Sequence, residues 1–136
     1  AQDWQKFIEQ SATWKEQFDL VAVCGSLPRG ISPQQFAQWL ESLHQQGLKV
    51  VLDSSNAALT EGLKAHPWLV KPNRRELEVW AGHPLNSREE IIEAAEQLRQ
   101  HGIENVIISM GEQGSLWLNR EGVLQAKPPR CENVVG

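Results

Sequence analysis

The chain has 136 residues, of which 40% are hydrophobic and 22% are charged, and its formal net charge is −4. This length is sufficient for one domain with a buried core, and the composition is that of an ordinary globular protein. The acidic balance argues against a nucleic-acid-binding face and a membrane-binding face, and no apolar run approaches the about 20 residues that cross a bilayer.

The two ends and the cysteines bear on the origin of the chain. It begins with Ala1 rather than Met and ends at Gly136, so we expect a piece of a longer protein. No basic segment followed by an apolar stretch opens the sequence, so we expect no secretory signal. Cys24 and Cys131 fit no metal-binding spacing. Because Cys24 lies in an apolar run, we expect a buried free thiol and a cytoplasmic protein.

Helical and strand patterns alternate along the sequence. The predicted helices cover Asp3–Phe18, the segment that starts at Pro33 and ends before Gly47, Ala57–Ala65, Arg74–Ala81, and the segment between Ser87 and Gly102. The predicted strands are Leu20–Cys24, Lys49–Leu52, Trp68–Val70 and Val106–Ile108, followed by a hairpin of Leu116–Leu118 and Val123–Ala126. The pattern predicts an α/β fold, a three-layer Rossmann-like parallel sheet flanked by helices with a C-terminal hairpin.

Two helices have clear start signals and buried stripes. Ser32 precedes Pro33 as a cap, and Ser87 is followed by Glu90 in the spacing of a capping box. The apolar residues expected to face the core are Phe36, Leu40 and Leu43 in the first helix and Ile91, Ala95 and Leu98 in the second. The run Leu20–Cys24 is apolar throughout, which predicts a strand buried on both faces.

The junction of Lys71, Pro72, Asn73 and Glu76 is the most informative segment. Pro72 removes a backbone N–H and disfavours helical backbone at the preceding residue, so the strand ends there. Asn73 is a good helix cap. A cation, an amide and a carboxylate are therefore predicted at one strand-to-helix turn, which is where open parallel sheets bind ligands.

The other predicted parallel strands also end in polar or glycine turns. Because parallel strands place these ends along one edge, we expect a shared groove. Its predicted members are Ser26, Asp53, Lys71, Asn73, Glu76, Ser109, Gly111 and Gly114. A lysine neutralises phosphate, glycines let backbone N–H groups approach an anion, and amide and carboxylate oxygens suit Mg²⁺. Together they predict part of a phosphoryl-transfer site.

Structural explanations remain open for each residue. Lys71–Asn73 is also a plain strand stop, Asp53 a helix cap, and Ser26 and the two glycines turn residues. The six tryptophans are expected to pack in the core and at its edge rather than to stack on bases. The sequence contains no P-loop and no Gly-x-Gly-x-x-Gly, so any nucleotide is held in another way.

Four segments in order resemble ribokinase-like carbohydrate kinases of the PfkB type. They are Gly25-Ser26-Leu27-Pro28-x-Gly30, Leu52-Asp53-Ser54-Ser55, Lys71-Pro72-Asn73-x-x-Glu76-Leu77 and Ser109-Met110-Gly111-x-x-Gly114. The longer string from Ala65 to Glu78 is similar to bacterial 1-phosphofructokinases. The resemblance implies ATP- and Mg²⁺-dependent phosphorylation of a sugar phosphate, with fructose 1-phosphate as the expected substrate and fructose 1,6-bisphosphate as the product.

The resemblance also implies roles for individual residues. Asn73 and Glu76 would organise Mg²⁺ and the nucleotide phosphates, with Asp53 as a further metal residue, and Lys71 would contact phosphate. The expected ATP-binding segment consists of Ser109, Met110, Gly111, Glu112, Gln113 and Gly114. Gly25 and Ser26 would lie on the substrate side.

The catalytic base of the resembling family lies in a Gly-Ala-Gly-Asp motif, which would follow Gly136. We therefore expect residues 1–136 to be the central part of a single kinase domain, without catalytic residues and without activity alone. The resemblance allows a homodimer of the intact protein. Tagatose 6-phosphate and fructose 6-phosphate remain alternative substrates. A non-catalytic nucleotide- or sugar-binding regulatory module and a flavodoxin-like interaction domain remain alternative functions.

Overall fold

The computed structural model describes residues 2–25, 27, 29–54 and 56–127, and all statements on structure refer to these residues. The strands are β1 (Leu20–Gly25), β2 (Lys49–Ser54), β3 (Leu69–Val70), β4 (Asn105–Ser109), β5 (Ser115–Asn119) and β6 (Gly122–Ala126). The helices are α1 (Gln2–Ser11), α2 (Pro33–Gln45), α3 (Asn56–Gly62), α4 (Arg74–Ala81) and α5 (Arg88–Gln100). Along this described part, no helix has the length and apolar character that crossing a membrane requires.

The described strands form a single six-stranded sheet in the order β1-β2-β3-β4-β5-β6. β1 to β4 are parallel, and β4, β5 and β6 pair antiparallel. Helices connect the parallel strands, while β5 and β6 form the expected hairpin around Arg120–Glu121. The predicted α/β architecture and the C-terminal hairpin are confirmed.

The helix starts follow from local sequence. The Ser32 side chain accepts the N–H of Gln35, and the Gln35 side chain accepts the N–H of Ser32, which is a complete capping box. At α5 only half of the predicted box forms. Ser87 accepts the N–H of Glu90 at 3.1 Å, but the Glu90 carboxylate contacts the Ser87 hydroxyl rather than its backbone N–H.

The first helix is shorter than predicted, because α1 ends at Ser11 and a separate 3₁₀ turn covers Trp14–Glu16. The Ser11 hydroxyl lies 2.8 Å from the Ile8 carbonyl oxygen and accepts the indole N–H of Trp39 at 2.9 Å. Thr13 donates to the carbonyl of Gln10 at 3.0 Å. These side-chain bonds compete with further helical turns, and they turn the chain so that Trp14 packs edge-on to Trp39.

Three other predicted boundaries are shifted. β2 continues through Asp53 and Ser54, which the sequence had placed in a turn. α3 covers Asn56–Gly62, and Leu63–Ala65 forms a 3₁₀ turn rather than its continuation. β3 contains only Leu69 and Val70, although the Trp68 N–H still donates to the Val50 carbonyl at 2.8 Å.

The core lies between the helices and one face of the sheet. Alternate strand residues share this face because side chains alternate along a strand. The buried members of the face are Val50, Leu52, Val70, Val106, Ile108, Leu116 and Leu118. The predicted stripes on the two long helices are buried as expected, and Trp39 joins the stripe of α2.

The prediction that β1 is buried on both faces, with a buried Cys24 thiol, is wrong. Leu20 is 47% exposed, Cys24 is exposed, and Val21 and Val23 are half-buried. Among the described strands, β1 pairs only with β2, so it is an edge strand. The sheet face opposite the core also carries exposed Trp117 and Leu124.

Candidate functional site

The polar residues singled out from the sequence lie mainly at the carboxyl ends of the parallel strands. Cys24 and Asp53 are partners in the register of β1 and β2, one position before those strands end. An isolated parallel bridge pairs Asn73, after β3, with Ser109 at the end of β4. The carboxyl edge therefore brings together Asp53, Lys71, Asn73 and Ser109, as the alternation of helices and strands predicts.

Asn73 and Glu76 are joined to each other at the start of α4. The Asn73 Oδ1 atom accepts the N–H of Glu76 at 2.8 Å, and the Glu76 Oε1 atom accepts the N–H of Asn73 at 2.9 Å. This reciprocal pair is a capping box, and it satisfies two backbone donors that the helix leaves free. The Asn-x-x-Glu spacing thus has a structural role in this chain, and it leaves the Glu76 Oε2 atom outside the capping box.

Lys71 and Asp53 form an ion pair between neighbouring strand ends. The Lys71 Nζ and Asp53 Oδ2 atoms are 3.7 Å apart, and the two side chains are 46% and 49% exposed. Pro72 behind the lysine is buried. The sequence predicts both groups at this edge, but their contact depends on the pairing of β2 with β3 and was not predicted.

The loop after β4 is a tight turn. The Met110 N–H donates to the Gly114 carbonyl at 2.8 Å, and the Gly114 N–H donates to the Gly111 carbonyl at 3.0 Å. Residues Gly111–Gln113 form a 3₁₀ turn, with Glu112 and Gln113 exposed. The Gln113 carbonyl accepts a bond from the Gln125 side chain at 3.2 Å, which holds the turn against β6.

The two glycines of this turn have different surroundings. Gly111 has φ +60° and nothing within 4 Å of the position of a Cβ atom, so its backbone faces open space. Gly114 has φ +88°, and a Cβ there would collide with the Ala126 carbonyl oxygen and lie 2.8 Å from the Cα of Lys127. Gly111 is therefore accessible to a ligand, whereas Gly114 is required by the close approach of β6.

The substrate-side residues are only partly described. Gly25 ends β1, and Ser26 lies outside the described residues. Cys24 was expected in the core but is exposed on the same sheet face as Asp53, because the two residues are register partners. Strand alternation places Leu20, Ala22 and Cys24 on that face. Because every residue of Leu20–Cys24 is apolar, the sequence pattern does not indicate which face is exposed.

The oxygen donors at the edge suit a magnesium ion that is also held by a nucleotide. In the described part of the chain, no group of three or more His, Cys, Asp or Glu side chains is placed to hold a metal alone. Mg²⁺ usually binds one or two carboxylates, with waters and phosphate oxygens completing its shell. Asp53 is half exposed, and Glu76 uses only one carboxylate oxygen in the capping box, so this donor set fits.

Two cavities lie away from the loop after β4. One of about 410 Å³ lies between α3 and α4, has a mainly apolar lining and is bordered by Glu76. Another of about 420 Å³ lies at the opposite, amino edge of the sheet, where Lys49 and Asn105 begin β2 and β4.

Comparison with known proteins gives consistent results. The family model described as pfkB family carbohydrate kinase matches residues 1–136. A 1-phosphofructokinase of Haemophilus influenzae is 70% identical over 134 residues, which are 98% of this chain and 43% of that protein. The 1-phosphofructokinase of Escherichia coli K12 is 52% identical over 132 residues, or 97% of this chain and 42% of that protein.

Solved structures agree at the level of the fold. Phosphofructokinase-2 of Escherichia coli in complex with fructose-6-phosphate matches with a TM-score of 0.85 and 28% identity, over 96% of this chain and 44% of that one. Arabidopsis thaliana ribokinase, solved with ribose and ATP, has a TM-score of 0.68 at 21% identity, over 90% of this chain and 38% of that one. The ribokinase-like fold is thus confirmed, and the chain spans less than half the length of these relatives.

Proposed function

Because this chain belongs to the pfkB family of carbohydrate kinases, we propose that the full-length protein transfers a phosphoryl group from ATP to fructose 1-phosphate. The products are ADP and fructose 1,6-bisphosphate. The observation that carries this proposal is the 70% identity, over 98% of the chain, to a protein named 1-phosphofructokinase. The family resemblance found in the sequence points to the same substrate.

The residues of the carboxyl edge supply the nucleotide side of the proposed reaction. Lys71 contacts a phosphate oxygen, and Asp53, Asn73 and Glu76 hold Mg²⁺ directly or through its waters. The nucleotide lies along the turn from Ser109 through Met110, Gly111, Glu112 and Gln113 to Gly114. Support comes from the exposed backbone of Gly111 and from the half-exposed charges of Asp53 and Lys71.

The capping box gives Asn73 and Glu76 a positioning task in this proposal. Their mutual hydrogen bonds hold the Glu76 carboxylate in one orientation at the start of α4. A magnesium ion bound there would neutralise phosphate charge, which is the main requirement of phosphoryl transfer. Helix starts also favour negative groups, because their free N–H groups carry partial positive charge.

A second substrate has a specific observation behind it. Phosphofructokinase-2, at 28% identity, was solved with fructose-6-phosphate, and its fold matches this chain with a TM-score of 0.85. The higher identity to the proteins named 1-phosphofructokinase makes fructose 1-phosphate the preferred proposal. We place the substrate beside Gly25 and Ser26, and the catalytic base outside the 136 residues.

The test is a substrate panel with the full-length protein. ADP release with MgATP is measured for fructose 1-phosphate, fructose 6-phosphate and tagatose 6-phosphate. We expect kcat/KM for fructose 1-phosphate to exceed the other two values by at least about tenfold, a difference of about 1.4 kcal/mol in transition-state binding. A higher kcat/KM for another sugar phosphate would overturn the proposal that fructose 1-phosphate is the substrate. ATP binding without turnover of any sugar would favour the regulatory module.

A further inference from the structure

The Lys71–Asp53 pair has the geometry of a contact that is easily exchanged. The 3.7 Å between Nζ and Oδ2 exceeds the about 2.7–2.9 Å of a charge-assisted hydrogen bond. Both side chains are nearly half exposed, so water screens their attraction. Loss of an exposed ion pair of this kind changes an equilibrium constant by about fivefold or less.

Two nearby acceptor atoms are occupied by other donors. Glu76 Oε1 accepts the N–H of Asn73, and Asn73 Oδ1 accepts the N–H of Glu76. Among the described residues, Asp53 is the carboxylate that forms a salt bridge with Lys71. The Lys71 ammonium is therefore held by the same carboxylate that is proposed to face Mg²⁺.

Resting on the function proposed above, we propose that Lys71 and Asp53 form a charge-exchange pair. In the nucleotide-free site, Lys71 neutralises Asp53. When the magnesium nucleotide is bound, Asp53 faces the divalent cation, and Lys71 leaves it for a phosphate oxygen. A univalent ammonium and a divalent cation compete for one carboxylate, so binding of the metal and release of the lysine are linked by their charges.

The first test is a double-mutant cycle in the full-length protein. Calorimetry measures the Kd of ATP, with excess EDTA and with Mg²⁺, for the wild type, Asp53→Asn, Lys71→Met and the double variant. We expect Asp53→Asn to tighten binding of metal-free ATP about threefold to fivefold, because Lys71 is already released. In the Lys71→Met background, the same substitution should change that Kd by less than about twofold.

Two results would contradict the exchange. If Asp53→Asn tightened binding of metal-free ATP equally with and without Lys71, electrostatic repulsion between Asp53 and phosphate would explain the tighter binding. If Asp53→Asn left that Kd unchanged or weakened it, Lys71 would not be restrained by Asp53. Failure of the wild-type protein to bind ATP in both conditions would instead reject the proposed function, on which the exchange depends.

A second measurement needs no variant. NMR signals of the lysine ε-methylene groups are compared between the complexes with metal-free ATP and with MgATP. We expect the Lys71 signal to differ between the two complexes. Lys64 is the control, since it lies in the 3₁₀ turn after α3 and forms an ion pair with Glu61 at 3.1 Å. A Lys71 signal as unchanged as that of Lys64 would overturn the proposal.

Discussion

Asn73 and Glu76 each bind the other's backbone N–H group, so the residues proposed to organise magnesium also hold the first turn of α4. A substitution at either position therefore has two separable effects, one on the helix and one on charge. The cap of α2 shows how to separate them, because Gln35 completes the same box there without a charge.

We predict that Glu76→Gln preserves the fold and weakens use of magnesium. Glutamine keeps the oxygen that accepts the Asn73 N–H, so the free energy of unfolding should change by less than about 0.5 kcal/mol. Loss of the carboxylate should raise the Mg²⁺ concentration needed for half-maximal turnover of the full-length protein. Denaturant melts and magnesium titrations measure the two effects. An unchanged magnesium requirement would reject the metal role of Glu76.

Asn73→Ala should reduce both stability and turnover. Removal of the cap should cost about 1 kcal/mol. Ser87→Ala is the matched control, since Ser87 caps α5 by the same bond and is not among the proposed ligand residues. We expect similar losses of unfolding free energy in the two variants but a drop in kcat/KM only for Asn73→Ala. Equal kinetic losses would mean that stability alone explains the effect.

The two glycines of the turn after β4 should respond differently to alanine. Gly114→Ala places a methyl group against the Ala126 carbonyl, and we expect a loss of about 2–4 kcal/mol in unfolding free energy. At Gly111 an alanine methyl group would meet open space, and only the positive φ opposes the substitution. A loss of about 1–2 kcal/mol in unfolding free energy is therefore expected. Thermal or denaturant unfolding measures both, and a Gly111 variant less stable than the Gly114 variant would contradict this assignment.

The two variants also separate structure from binding. Gly111→Ala should weaken ATP binding in the full-length protein, because its backbone faces the open side of the turn. Calorimetry at a temperature where the variant is fully folded gives the Kd. ATP binding equal to that of the wild type would remove Gly111 from the nucleotide site.

The pKa of Asp19 should lie below that of an unpaired aspartate. A hydrogen bond from Lys15 at 2.9 Å, and the charge of that lysine, lower the pKa of Asp19. A lowered folded-state pKa means that the stabilisation is full above about pH 4, the unfolded-state value, and is lost as the pH falls through the folded-state pKa. NMR titration should show Lys15→Met raising the pKa, and Lys64→Met leaving it unchanged. A pKa unaffected by Lys15→Met would contradict the assignment.

The 136-residue chain alone should not turn over sugar phosphates. We place the base and much of the sugar site outside this chain, which spans 43% of its 70%-identical relative. A coupled assay with MgATP and fructose 1-phosphate should give no rate above that without protein, while the full-length protein serves as the positive control. Measurable turnover by residues 1–136 would show that a base lies among them.

Local features of this protein were predictable from the sequence because neighbouring residues determine them. The caps at Ser32 and Asn73, the end of β3 before Pro72 and the hairpin around Arg120–Glu121 depend on contacts within a few residues. The convergence of Asp53, Lys71, Asn73 and Ser109 was also predictable, since strand direction alone places these ends at one edge.

What only the tertiary structure decided involves residues distant in sequence. α1 ends early partly because Ser11 bonds Trp39, and Cys24 is exposed because its side chain lies on the sheet face opposite the core, which it shares with Asp53. Gly114 is required because β6 packs against it, and Lys71 meets Asp53 because β2 pairs with β3. The sequence by itself determined which groups share the edge, whereas strand pairing decided which of them touch, because side-chain distances depend on register and packing that no local pattern encodes.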